Sequence, residues 1–177
     1  MHRYQILIEY DGTSYVGWQI QKKGRSIQKT VQSVLKKIFK QKIILFSAGR
    51  TDSGVHARGQ SVHFDIKKKI HNIDKIIKSL NFFLNNKNIS IISIKKKKNS
   101  FHARYSAKER IYLYIILNRL SPSTLNVDRE WYIRKKLDIN LIRKGAKKLT
   151  GKHDFSTFRA SNCSSKSPIR TINKIIV

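Results

Sequence analysis

The chain has 177 residues, with 38 Lys and Arg against 10 Asp and Glu, for a formal net charge of +28. A charge of that size points to a polyanionic partner. With 40% hydrophobic and 10% aromatic residues, two prolines and eight glycines, the composition excludes a disordered basic tail and a fibrous or low-complexity chain. A chain this long buries roughly 70% of its unfolded surface, enough for one sizeable core or two half-domains. Cys163 is the only cysteine, which excludes an internal disulfide and a cysteine-based zinc cluster. The opening segment MHRYQILIEYDG lacks the apolar core of a signal peptide, and no run approaches 18 apolar residues. A soluble cytoplasmic protein is expected, with no membrane partner. The Lys runs at 67–69 and 95–98 count for less, because an AT-rich genome enriches Lys, Ile and Asn together.

Residues 4–10 (YQILIEY) read as a strand ending in an Asp11-Gly12 turn. A polar, aromatic loop follows to Ser26, a suitable N-cap for a helix whose Ile27, Val31, Val34, Leu35 and Ile38 share one face. Ile43–Phe46 predicts a short apolar strand and Gln60–Ile66 a half-buried one. Asn72 then caps a helix carrying the stripe Ile73, Ile76, Ile77, Leu80, Phe83 and Leu84, and Ile89–Ile94 predicts a fourth strand. Residues 4–95 therefore read βαββαβ, a ferredoxin-like unit with an antiparallel sheet and one helix-free face, as in many RNA-binding modules.

Beyond Phe101 the pattern predicts a long strand, Ile111–Leu117, and a short one around Trp131–Ile133. Asp138 caps a helix with Leu141, Ile142, Ala146 and Leu149 as its buried face, and Gly151 is placed to end it. A Ser-rich loop at 161–167 precedes an apolar strand at 169–177. A second βαββαβ half would need at least one more helix and strand. The expected division is 1–100 and 101–177.

The loop GRTDSGVHARG at 49–59 holds three glycines, two arginines, a histidine and one acid. Asp52, between Arg50 and Arg58, is expected to be ionised below the reference of about 3.9. Such a carboxylate serves as a nucleophile or stabilises a developing oxocarbenium ion. The alternative is an Asx-turn with an arginine pair that merely holds the loop. Asp52 and His56 are too few for a metal site. His63 and His102 read as strand or turn residues rather than ligands. Glu9, Asp11, Asp65 and Asp74 read as strand-end, turn or cap residues, which leaves no carboxylate pair for acid/base catalysis. No Walker loop, GxGxxG or GxSxG occurs, which removes nucleotide hydrolysis, Rossmann cofactors and serine hydrolase chemistry. Tyr10, Tyr15 and Trp18 beside one loop, and Tyr112 and Tyr114 on one face of a strand near Lys108 and Arg110, are either core or surfaces on which unpaired bases stack.

Six segments in order carry a resemblance: YDGTxYxGWQ at 10–19, GRTDSGVHA at 49–57, FHARYSA at 101–107, RIYLY at 110–114, HDFSTFR at 153–159 and SPIRTI at 167–172. Together the sequence closely resembles the tRNA pseudouridine synthase A family. The resemblance implies an α+β pseudouridine synthase fold, two ferredoxin-like halves sharing a mostly antiparallel sheet, here with the second half incomplete. It implies a homodimeric isomerase that converts uridine to pseudouridine at positions 38, 39 and 40 of the tRNA anticodon stem-loop, with neither cofactor nor metal. Asp52 matches the family's catalytic aspartate, Arg50 an arginine that pairs with it and displaces the base, and Tyr112 the tyrosine that packs on the flipped uracil. Arg170 matches an arginine near the active site. Arg58, Trp18 and Arg110 are expected at the RNA-binding surface. Family members continue past SPIRTI with an apolar segment ending in a basic residue, so this chain is expected to be weakly active or unstable alone. The reading that competes with the enzyme is a basic RNA-binding protein, or a decayed synthase that only binds tRNA.

Overall fold

The computed structural model describes residues 1–159 and 167–177 and divides into two compact units, Met1–Tyr112 and Leu113–Val177. Cys163 and most of the expected Ser-rich loop lie outside the described residues.

In the first unit the elements run β1 (His2–Tyr10), α1 (Ile27–Phe39), β2 (Phe46–Ser47), β3 (Ala57–Ile66), α2 (Ile73–Leu84) and β4 (Ile89–Lys97). The strands form one sheet in the order β2-β3-β1-β4, every neighbouring pair antiparallel. Alternation in β1 sends Tyr4, Ile6 and Ile8 to the helix-covered face, opposite Phe64 and Val62 of β3 and beside Ile91 and Ile94 of β4. There they meet Ile27, Val31, Val34 and Leu35 of α1 and Leu80 and Leu84 of α2, all buried. Each such side chain contributes roughly 1.5–3 kcal/mol on leaving water.

Both helices start where their caps require. Ser26 Oγ accepts from the Lys29 N–H at 3.3 Å and Asn72 Oδ1 from the Lys75 N–H at 2.8 Å. Lys36 and Lys37 in the last turn of α1 meet the negative end of its dipole. The strand expected at 43–46 is displaced: only Phe46–Ser47 pairs, while 43–45 leans on α1, where Gln28 Nε2 donates to the Leu45 carbonyl (3.1 Å) and the Leu45 N–H donates to Gln32 Oε1 (3.4 Å). Helix side chains there do the work of a neighbouring strand.

The sheet face without helices is closed at one corner by residues 99–106. Arg3 and Asp65 are register partners on β1 and β3 and form a bidentate pair (2.8 and 2.7 Å), while Arg3 Nη1 also donates to the carbonyls of Asn99 (2.6 Å) and Phe101 (2.7 Å). His63, one of the expected strand residues, is 1% exposed and its Nδ1 accepts from the Ala103 N–H at 3.1 Å. Its ring stacks on Phe46 with centroids 5.0 Å apart.

The second unit departs further from expectation. The strand predicted over Ile111–Leu117 is reduced to β5 (Ile116–Asn118), which pairs in parallel with β6 (Trp131–Ile133). A strand exists only where a ladder partner does, and among the described residues none faces 111–114. Asp138 caps α3 (Ile139–Leu149) through bonds from the N–H groups of Asn140 and Leu141. The expected buried face is not buried, and Leu141 is 63% exposed. Helical spacing places those residues on one stripe, but Leu141 and Leu149 stay exposed and Ile142 and Ala146 are only half-buried. Thr150, in extended conformation, ends α3, and Gly151 at φ +112° instead opens β7 (Gly151–Asp154), antiparallel to β8 (Ile169–Ile172). The strand expected over 169–177 ends at Ile172. No helix among the described residues is long and apolar enough to cross a membrane.

Burial, with Arg3 and His102 nearby and despite Asp65 and a bond to the Phe46 backbone, lowers the His63 pKa to about 4. The unfolded ring, at about 6.5, binds its proton more readily, so His63 removes stability as pH falls from about 6.5 to about 4, on the order of 3 kcal/mol in all. Hydrogen bonding to Arg3 holds Asp65 below the usual carboxylate range, so its contribution is lost only at lower pH still. The urea midpoint of the wild type should fall between about pH 7 and pH 4.5, and the fall should be much smaller in His63→Phe. Equal slopes in the two proteins would refute the assignment.

Candidate active site

The loop at 49–56 is built onto the turn that follows β1. A bulge between Ile8 and Tyr10 twists the end of β1, and Tyr10 Oη lies 2.8 Å from Thr51 Oγ1. The Trp18 N–H donates to the Thr51 carbonyl (2.9 Å), while the Gly54 N–H (3.3 Å) and Ser53 Oγ (3.2 Å) both donate to the Tyr15 carbonyl. The Gly12 N–H donates to His56 Nδ1 at 3.1 Å, and Asp11 Oδ1 is 3.2 Å from that same nitrogen. The first contact needs Nδ1 without a proton and the second needs an Nδ1–H, so one nitrogen cannot make both at once.

Two glycines make this contact possible. A Cβ on Gly12 would stand 2.1 Å from the Val55 carbonyl oxygen. Gly17, at φ +101°, would meet the Thr51 carbonyl oxygen at 2.6 Å and the Asp52 backbone at 3.1 Å. The peptide carrying Asp52 thus rests directly on Gly17.

Asp52 itself is exposed, and among the described residues its side chain makes no hydrogen bond and no ion pair. The Asx-turn alternative is therefore not what holds this loop: its turn is closed by backbone, the Val55 N–H donating to the Asp52 carbonyl at 3.3 Å with Gly54 at φ +78°. The expected Arg50–Asp52 pair is also absent among the described residues, because both side chains leave the loop into solvent. Arg58, at the start of β3, is exposed as well.

Trp18 requires correction. Expected to meet RNA, it is 2% exposed, its ring packed at 6.1 Å from that of Tyr10. Tyr10 and Tyr15 are buried too, and burial raises both phenol pKa values against the opposing Thr51 bond and Arg25 charge. All three are scaffold. Arg110 is exposed, with Nη2 donating to the Ala48 carbonyl (2.7 Å) at the root of the Asp52 loop. Tyr112 is 75% exposed. Arg170, on β8 of the second unit, donates to the carbonyls of Ser167 (2.8 Å) and Ile169 (2.6 Å). Among the described residues no three His, Cys, Asp or Glu side chains converge on a metal position.

Thr51, Arg3 and the pairing of His63 with Ala103 escaped sequence reasoning. The role of Arg3 depends on the register of β1 with β3, which brings residues 62 positions apart side by side, and the other two on loop contacts across 41 and 40 positions.

A helix-backed antiparallel sheet, with the Asp52 loop braced on an aromatic, glycine-bearing turn, gives the first unit an α+β fold. Comparison with known proteins makes the class specific. A family model described as tRNA pseudouridine synthase matches residues 6–106 and 146–177. The tRNA pseudouridine synthase A of Pelagibacter ubique (strain HTCC1062) is 60% identical over 175 residues, 99% of this chain and 71% of that protein. Those of Anaplasma phagocytophilum (strain HZ) and Anaplasma marginale (strain Florida) are 44% and 43% identical over 98% of this chain and 71% of their own length. The chain belongs to the tRNA pseudouridine synthase family, a family of isomerases.

Gly17→Ala should lower the unfolding free energy by about 1–3 kcal/mol, through positive φ and collision with Thr51. Gly59→Ala, with nothing within 4 Å of the added carbon, should stay within about 0.5 kcal/mol. Denaturant titration of both variants checks the contrast.

Proposed function

We propose that this protein isomerises uridine to pseudouridine in the anticodon stem-loop of tRNA, at positions 38, 39 and 40, with Asp52 as nucleophile. The observation that carries the reading is an exposed carboxylate on a firmly braced loop whose every structural contact is made by other groups. Groups that hold a fold are spent on it; Asp52 is held in place and left available.

The reaction breaks the bond between ribose C1′ and uracil N1 and forms one from C1′ to C5, while C5 loses a proton and N1 gains one. Nothing is oxidised or hydrolysed, so a carboxylate and a means of holding a detached base suffice, and no cofactor is called for. Attack by Asp52 on base or sugar satisfies the same balance. Arg50 and Arg58, beside Asp52 in the chain, provide guanidinium groups that bind phosphate through paired bonds and can fill the space of a displaced base. Tyr112 offers a ring to the flipped uracil, which offsets the few kcal/mol of lost stacking. Arg170, on the second unit, and Arg110 add cationic contacts. The protein acts in the cytoplasm as a homodimer.

Tritium release from tRNA labelled at uridine C5 tests this directly. Wild type should release tritium; Asp52→Asn should not, at unchanged thermal midpoint and nearly unchanged tRNA affinity, since the side chain supports nothing in the fold. Equal release from both proteins would show another nucleophile, and no release even from the chain extended to the length of its relatives, of which it covers 71%, would leave only an RNA binder. With about six phosphates engaged, affinity should drop roughly a thousandfold between 50 and 200 mM salt.

A further inference from the structure

Residues 101–106 carry an aromatic ring that the fold does not use. Tyr105 is 77% exposed, yet the turn beneath it is tightly held. The Ser106 N–H donates to the His102 carbonyl (2.7 Å), the His102 N–H to Ser106 Oγ (3.0 Å) and the Arg104 N–H to His102 Nδ1 (3.2 Å). Ala103 is pinned to His63 from below, and Arg3 grips the Phe101 carbonyl. A rigid turn thus presents a solvated phenol, the reverse of the usual economy in which large apolar surface is buried.

The surroundings of Tyr105 suit a nucleobase. One side of the ring is backed by the His102 imidazole, centroids 4.5 Å apart and 37° from parallel. The Arg104 guanidinium lies 5.8 Å from the ring centroid. Lys108 and Arg110 follow in the chain, with Glu109 the one acid between 99 and 127. An aromatic face with cations beside it holds an unpaired base by stacking while the charges meet its phosphate. The platform also touches the root of the catalytic loop: His102 packs on Phe46 at 5.7 Å, three residues before Gly49.

We propose that Tyr105, with Arg104 beside it, is a stacking platform for an unpaired base of the RNA substrate other than the uridine that reacts. The inference rests on the RNA-substrate reading above and adds a second contact to it. It assigns Tyr105 to binding and leaves the chemistry to Asp52.

Filter binding of tRNA to Tyr105→Ala, Tyr105→Phe and Tyr105→Trp, all as the full chain, tests the proposal. Tyr105→Ala should weaken binding about tenfold at fixed salt, while Phe and Trp retain wild-type affinity. The salt slope should not change, since no charge is removed, and thermal midpoints should not change, since the ring is exposed. Fluorescence of Tyr105→Trp should be quenched by tRNA beyond the quenching seen in wild type, and a fully paired RNA duplex should bind wild type and Tyr105→Ala alike. Wild-type affinity in Tyr105→Ala, or an equal loss in Tyr105→Phe, would overturn the proposal. Binding is read apart from tritium release, so a protein that needs Tyr105 to bind yet releases nothing even as the extended chain would uphold the platform and reject the isomerase, and the opposite pattern would do the reverse.

Discussion

The contact between Gly17 and the Thr51–Asp52 peptide is the constraint around which the first unit is organised. The backbone of Asp52 is fixed while its side chain stays available, because different atoms do the holding. The Trp18 N–H and Tyr10 hydroxyl hold Thr51, the Tyr15 carbonyl takes the bonds from Ser53 and Gly54, and Gly12 donates its N–H to His56 and, lacking a Cβ, leaves room for the Val55 carbonyl. Because Gly17 lacks a Cβ, the two segments meet backbone to backbone, so Asp52 inherits the rigidity of the buried Tyr10–Trp18 cluster.

A second clamp acts through charge and hydrogen bonding at the other end of the strands. Arg3 and Asp65 sit opposite each other on β1 and β3, and Arg3 extends from that pair to two carbonyls of the segment after β4. His63 completes the clamp as a neutral ring, since only a neutral imidazole can accept the Ala103 N–H. The large positive charge of the chain makes such an arrangement useful: each acid that is fixed in place offsets repulsion among many cations. Elsewhere the excess cations remain at the surface, where an RNA phosphate chain can neutralise them.

Much of the first unit was legible in the sequence because its signals are local. Ser26 and Asn72 cap their helices for reasons contained within four residues, and the stripes of α1 and α2 are the residues they bury. The Asp52 loop also stood out, as one acid among arginines and glycines. The second unit was read less well, and for one reason throughout. The spacing in 111–117 and 139–149 states which residues share a face, but neither a strand nor a buried stripe exists without a partner, and spacing does not name one.

By itself, then, the sequence determined the strongly basic surface, the βαββαβ order of the first unit, the helix caps, the six family motifs and the candidacy of Asp52. Tertiary structure alone decided which motif residues brace and which remain available. Trp18, Tyr10 and Tyr15 share composition with a base-stacking surface, yet burial makes them scaffold, while Tyr105 keeps its ring in solvent. The physical reason is that exposure and hydrogen-bond partnership arise from strand register and chain packing, which join residues dozens of positions apart. A one-dimensional pattern specifies chemistry and periodicity, and it leaves open which of two tyrosines the core will claim.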